Sequence, residues 1–432
     1  MHLKYKFLKI DAAQKVVAEN NTKSSFLDAP YVIIDLMLVL KRLFIPLLGL
    51  VGIVVVSVIF IVLFKKPQSA QKKVQFNSQI GKSTCRNENI FITLPIDPVK
   101  LLSVTPLGNI NPPDHTTPTD HVYLVIKVNN EVHPDLATKV FAPADLIIST
   151  ITKQQVKQNG KVINEDYTLD FSPCKDIKSK FGHVTKLSPG LVSLFEQQKT
   201  NCQTNVPRPE NEYTYCRAEL NFQMNAGEEM GEAGGGSATG LDFWAIDMRT
   251  PELTFANPKR YNSYELHTIC AIDLFAKNKQ AILKEKFGRY EKRRTLEPLC
   301  GKLNQDVVGT VAGNWMTGPG FIEMPESWSK SISFVHDNVD PNIGILSIGG
   351  TITIPMKIQF NPVSTGTTNR EFSQVQDAGL YCYEGQSISK QAGQRSGRVL
   401  VQLSGSSKLK VEYQSEDCSH PFHFLSPTLY QR

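Results

Sequence analysis

The longest apolar stretch of the chain is Leu43–Phe64, LFIPLLGLVGIVVVSVIFIVLF, which carries no charge. At about 1.5 Å rise per residue it would span a hydrocarbon core of roughly 30 Å, and it predicts a single transmembrane helix. Lys41 and Arg42 precede it, and Lys65 and Lys66 follow. The exit, FKKPQSAQKK, has no A-x-A-like cleavage site, so the helix reads as an uncleaved signal anchor. Met37 opens a second complete anchor-like pattern, and the alternative starts Met1 and Met37 stay open.

Beyond the apolar run the period changes. Ile90–Leu94, His121–Val128, Leu146–Ile151, Tyr167–Phe171, Arg217–Met224 and Leu241–Asp247 alternate or run apolar between Pro, Gly and Asn, which predicts strands. Over Tyr264–Arg294, Leu266, Ile269, Leu274, Ile282, Leu283 and Phe287 recur at roughly helical spacing. Strand-like runs resume at Val307–Asn314, Ser331–His336, Gly344–Phe360, Gly379–Tyr383 and Arg398–Tyr413. The predicted order is a cytoplasmic segment 1–42, an anchor 43–64, a linker 65–86, a β domain 87–262, a connecting helix 263–295 and a second small all-β domain 296–432.

Composition narrows the function. Lys plus Arg is 47 against 41 Asp plus Glu, a net charge of +6, and no basic cluster interleaved with aromatics marks a nucleic-acid groove. All eight cysteines follow the anchor, without a C-x-x-C pair. Scattered, even-numbered cysteines predict structural disulfides in an oxidising compartment, although the Lys/Arg balance around the anchor points the other way. Long domains translocate largely regardless of flanking charge, so residues 67–432 are expected outside the cytoplasm. The absence of an N-x-[ST] sequon there favours a bacterial envelope. Eight cysteines allow 105 pairings, and the sequence does not choose among them.

Several motifs fall away. Gly81–Thr84, GKST, lacks the earlier glycine of a phosphate loop, since Phe76 stands there. No G-x-S-x-G elbow, dinucleotide fingerprint or EF-hand loop occurs. His336-Asp337 reads as a strand end followed by an Asx-type turn. Trp315, Trp328 and Tyr383 read as core more readily than as a ligand pocket.

What remains is a spread of His and Asp in the first β domain. Four segments carry it in order: PLGNINPPDHTTPTDHVYLVI, VFAPADLIIST, FGHVTKLSPGL and AGEEMGEAGGGSATGLDFWAID. Together, over residues 95–250, they resemble the lysostaphin/LytM-type zinc metallopeptidases with their duplicated-hybrid-motif β-fold. Val140–Ser149 is similar to that family's hairpin, with Leu146 where glycine is usual. Gly182–Ser188 resembles the segment bearing the catalytic histidine, which implies that role for His183. Ala226–Gly240 resembles the Gly-rich approach to the second metal motif.

The metal motifs depart from the family. Thr119, not aspartate, lies four residues after His115, and Asp120 is one further on. The family's H-x-H becomes Gly240-Leu241-Asp242, which loses the auxiliary histidine. The resemblance therefore implies, at most, a rearranged zinc site drawn from His115, Asp120, His121 and Asp242. The expectation is a hybrid-motif sandwich or barrel without a cofactor, anchored by one membrane span. It would bind cell-wall peptide or glycan, or regulate a partner hydrolase. The competing expectation is an active zinc endopeptidase cutting wall crosslinks, with His183 assisting at the oxyanion. A third is a structural protein that only meets other envelope proteins.

Overall fold

The computed structural model describes residues 83–85, 89–208, 211–322, 325–388 and 397–432. All of these belong to one compact unit. The expected segments 1–42 and 43–64, most of the linker, and Gly81 and Lys82 of GKST lie outside the described residues.

Two antiparallel sheets build the unit. The first holds β1 (Ser103–Thr105), β2 (His121–Val125), β3 (Thr138–Phe141), β4 (Leu146–Gln158), β5 (Lys161–Ser172), β6 (Ile177–Leu187), β7 (Gln203–Arg208), β8 (Asn211–Met224), β9 (Glu229–Ala233) and β10 (Gly240–Asp247). Its main path runs β1-β2-β10-β6-β5-β4-β8-β7, and β9 joins β3 to β6. The β4–β5 hairpin turns on Asn159-Gly160, both at positive φ (50° and 77°), the left-handed pair that a two-residue hairpin turn requires. A short helix, α1 (Pro189–Gln198), follows β6 and buries Leu191 and Phe195.

The second sheet orders β15 (Leu380–Tyr383), β17 (Arg398–Leu403), β18 (Lys408–Gln414), β19 (Thr428–Gln431), β11 (Gly313–Met316), β12 (Ser331–His336), β13 (Gly344–Ile348), β14 (Met356–Phe360) and β16 (Gln386–Ile388). Phe334, Phe372, Tyr383 and Trp315 fill its core.

The expected fold is corrected in two places. Among the described residues no helix is long and apolar enough to cross a membrane, so a spanning helix is not part of the fold described. The connecting helix is also absent. Residues 263–295 form 3₁₀ turns at Glu265–His267 and Ala271–Leu274, then one eight-residue helix, α2 (Lys277–Lys284). Their apolar residues were spaced like a helix face, but Leu266, Ile272, Leu274, Leu283 and Phe287 are buried from successive turns of an irregular strap. The Cys270–Cys300 disulfide pins that strap, where a free-standing helix would need no such tie.

All eight cysteines pair: Cys85–Cys174, Cys202–Cys216, Cys270–Cys300 and Cys382–Cys418. Small shared clusters join the sheets. Ile110 packs with Val335 and Ile345, and Met316 packs with Phe255, Tyr261 and Leu266.

Candidate functional site

Three adjacent strands, β2, β10 and β6, present the chemistry. Their register places Asp242 opposite Tyr123 and Gly182, and Trp244 opposite His121 and Lys180. Strand side chains alternate between faces. Val122, Leu124, Phe181, Leu241, Phe243 and Ala245 therefore point into the core and are almost completely buried. His121, Tyr123, Lys180, Asp242 and Trp244 share the other face.

His183 would fall on the core face if β6 were regular. A β-bulge prevents this. Between the pairs Tyr167↔Val184 and Leu169↔Phe181, β6 carries one more residue than β5. His183 takes the left-handed conformation there, at φ 60°. Its ring reaches the polar face, with Nδ1–H donating to Asp166 Oδ2 at 2.6 Å and Nε2 3.3 Å from Asp242 Oδ2. The side chain keeps 39% of its surface exposed. Burial works against its charge, but Asp242 and Asp166 outweigh that and raise its pKa to about 9.

His121 meets the same carboxylate from β2. Its Nδ1–H donates to Asp120 Oδ1 at 2.9 Å, and its Nε2 lies 3.6 Å from Asp242 Oδ2. Asp120 also accepts from Trp244 Nε1 at 2.7 Å. Burial alone would raise the Asp120 pKa, but the His121 hydrogen bond and charge, helped by Lys180, lower it. The Trp244 ring packs on His121 with centroids 4.0 Å apart and lies beneath Lys180 Nζ at 4.8 Å. The result is an alternating chain of carboxylates and imidazoles: Asp120, His121, Asp242, His183, Asp166.

His115 stands beside this chain on the loop before β2, its ring 5.6 Å from that of His121. Burial, with His121 next to it, lowers its pKa to about 4. Glu265 from the strap is raised to about 7 by burial, with a smaller push from Asp120.

The structure thus brings His115, Asp120, His121, His183 and Asp242 to one place. Asp120 braces the far nitrogen of His121 and does not face Asp242. Among the described residues, no group of three or more His, Cys, Asp and Glu side chains is gathered so as to hold a metal ion. Sequence reasoning missed Asp166, Tyr123, Lys180 and Trp244. Their strand positions alone mark them as facing away from the core, and only the register reveals what they meet. Of the tryptophan and tyrosine set, Trp315 and Tyr383 are core residues, whereas Trp328 lies 6.2 Å from His115 by ring centroids.

No family model, curated protein or solved structure matches the chain. The resemblance to lysostaphin/LytM-type peptidases stands on its own residues alone.

Proposed function

We infer that the protein works outside the cytoplasm as a binding module for an amide-rich polymer, such as the peptide of a cell wall, and does not hydrolyse it. The observation that carries this is a cavity of about 360 Å³ linked to His183 through Asn164 and Asp166. Val162, Ile163, Asn164, Thr185, Gly235 and Gly236 line it. Asn164 Nδ2 donates to the same Asp166 oxygen that holds His183, at 3.0 Å, and Ser237 Oγ donates to Asn164 Oδ1 at 2.6 Å. A peptide lying there meets apolar walls, amide and hydroxyl partners and the carboxylates of Glu165 and Glu232, with His183 one hydrogen-bonded link away. That is the mix expected of a ligand cleft. A non-glycine residue held at positive φ is also the kind of local strain that concentrates at binding sites. The four disulfides support an oxidising compartment.

Calorimetric titration of soluble wall peptide tests the reading. Wild type should bind, and His183→Asn, which tolerates the left-handed backbone, should weaken binding at least about tenfold, as loss of a charge-assisted hydrogen bond predicts. No binding by wild type, or equal binding by the variant, rejects it.

One observation favours a second reading. His121 Nε2 lies 3.6 Å from the Asp242 carboxylate and is buried without a hydrogen-bond partner among the described residues. A cation between them would take up that nitrogen, and a carboxylate bracing the far nitrogen is the usual support of a metal-binding histidine. His121 and Asp242 would supply two ligands, one fewer than a catalytic zinc takes, and the His115 ring, 5.6 Å from that of His121, would have to move in to supply the third. Zinc would supply an acidified water for amide hydrolysis. About one zinc per chain, lost in His121→Ala and Asp242→Ala, together with cleavage of wall peptide, would replace the binding module with an enzyme.

A further inference from the structure

Three polar atoms at the site are buried without a hydrogen-bond partner among the described residues: His121 Nε2, the Tyr123 hydroxyl and Trp328 Nε1. Their rings surround His115, with centroids 5.6, 6.4 and 6.2 Å away. Burying an N–H without an acceptor is unfavourable, so an orphan donor at a polar site points to a ligand that completes it. The Asn109 and Thr119 side chains lie near the Tyr123 hydroxyl, outside hydrogen-bond geometry. The chain has three tryptophans, and the two besides Trp328 are satisfied: Trp244 Nε1 donates to Asp120, and Trp315 Nε1 donates to the Val311 carbonyl.

Trp328 belongs to the other half of the molecule. It ends the short helix α3 (Pro325–Trp328), just before β12. Its position is fixed from the site side, because Thr116 Oγ1 donates to the Trp328 carbonyl at 3.1 Å, one residue from His115. Lys357 Nζ, on β14, donates to the Ile110 carbonyl at 3.2 Å and holds the same loop. The second sheet therefore grips the loop bearing His115 and sets an unused indole donor beside it.

We propose that Trp328 is a ligand-contacting residue whose indole N–H donates to an amide carbonyl of a ligand bound at His115, so that the site is completed by both sheets. Asp120 and Asp242 stand close by, and their negative charge favours a neutral carbonyl over a carboxylate as the acceptor. The ligand class rests on the binding reading above. The position of the donor does not.

The test uses the full, disulfide-intact chain labelled with ¹⁵N at its tryptophan indoles. The Trp328 resonance is the one missing from Trp328→Phe. Adding the blocked, neutral peptide N-acetyl-tetraalanine amide should move that resonance more than those of Trp244 and Trp315. Trp328→Phe should bind the peptide about three- to tenfold more weakly, the range expected for one hydrogen bond, with an unchanged melting temperature. A resonance that stays in place, or equal affinity in the variant, overturns the proposal, as does a shift produced by acetate alone. Wall peptide that loses affinity in His183→Asn but not in Trp328→Phe would leave the binding reading standing and remove this one. A Trp328 shift with the blocked peptide and no binding of wall peptide would do the reverse.

Discussion

At the scale of single residues, the site separates two histidines that begin with the same ordinary pKa near 6.5. His183 sits between Asp166 and Asp242 and stays protonated to about 9, whereas half-buried His115 stays neutral down to about 4. Opposite shifts in neighbouring groups are how one site keeps a hydrogen-bond donor and a neutral imidazole at the same pH. The two shifts act on stability in opposite directions. A raised folded pKa means that the folded state holds the proton more tightly. The His183 contribution is therefore complete below about 6.5 and is lost as pH rises through about 9. For His115 the unfolded chain takes the proton first, so stability is lost as pH falls from about 6.5 through about 4. Histidine proton NMR should show one titration near 9 that is absent in His183→Asn, and one near 4 that is absent in His115→Gln. The stability difference between wild type and His183→Asn should shrink from pH 6.5 to 9. A His183 titration near 6.5 would remove the two-carboxylate account of that residue.

At the scale of elements, the geometry depends on two features of β6. The bulge brings His183 across, and Gly182 before it lets the Trp244 ring lie against the backbone. A Cβ at Gly182 would stand 2.9 Å from the Trp244 ring and 3.3 Å from Asp242 Cβ. Gly182→Ala should therefore cost about 1–3 kcal/mol by overpacking. It should also disturb the Trp244–Asp120 hydrogen bond, seen as a shift of the Trp244 indole resonance. Gly190→Ala in α1, where nothing lies within 4 Å, is the control and should be neutral or slightly stabilising. A Gly182→Ala protein as stable as wild type, with an unmoved indole signal, would contradict this account. The same elements mark how far the sequence could be read. Alternation announced β2 and β10 because half of each strand packs on the core, and the Gly-rich turn announced the bend before Asp242. The bulge leaves no periodic trace, and β6 itself, charged at every second or third position, escaped notice as a strand. Asp166 became visible as a partner of His183 only when β5 and β6 were paired, because register is a long-range property. The strap over 263–295 misled for the opposite reason. Its buried residues happen to recur at helical intervals although each is placed by a separate turn.

At the scale of the whole molecule, the question is whether the two sheets act together, and a buried carboxylate decides it. Asp337, in the turn after β12, is only 6% exposed. It receives both guanidinium nitrogens of Arg289, at 3.0 and 2.6 Å, and the backbone N–H groups of Val339 and Asp340. Next to it, Asn338 Nδ2 donates to the Pro106 carbonyl at 2.8 Å, and Arg294 donates to the Asn338 carbonyl at 3.0 Å. The strap thus clasps the second sheet at the point where that sheet holds the start of the loop bearing His115. Burial alone would raise the Asp337 pKa, but Arg289 and the two N–H groups lower it. Its contribution is therefore present above the ordinary carboxylate range and is lost in acid as pH falls through the depressed value. Asp337→Ala leaves the two N–H groups and the guanidinium without their acceptor. Because Arg289 is 40% exposed, water recovers part of the loss, and the expected cost is about 1–3 kcal/mol. Hydrogen exchange should locate the effect: faster exchange at residues 106–119 and 337–343, with the β4–β5 hairpin unchanged. Wild type should unfold in one cooperative transition, since Ile110 and Met316 tie each half into shared apolar clusters. Asp337→Ala should broaden that transition or split it in two. Two separate transitions already present in wild type would mean that the clasp does not couple the sheets, and that the loop bearing His115 is held by the first sheet alone.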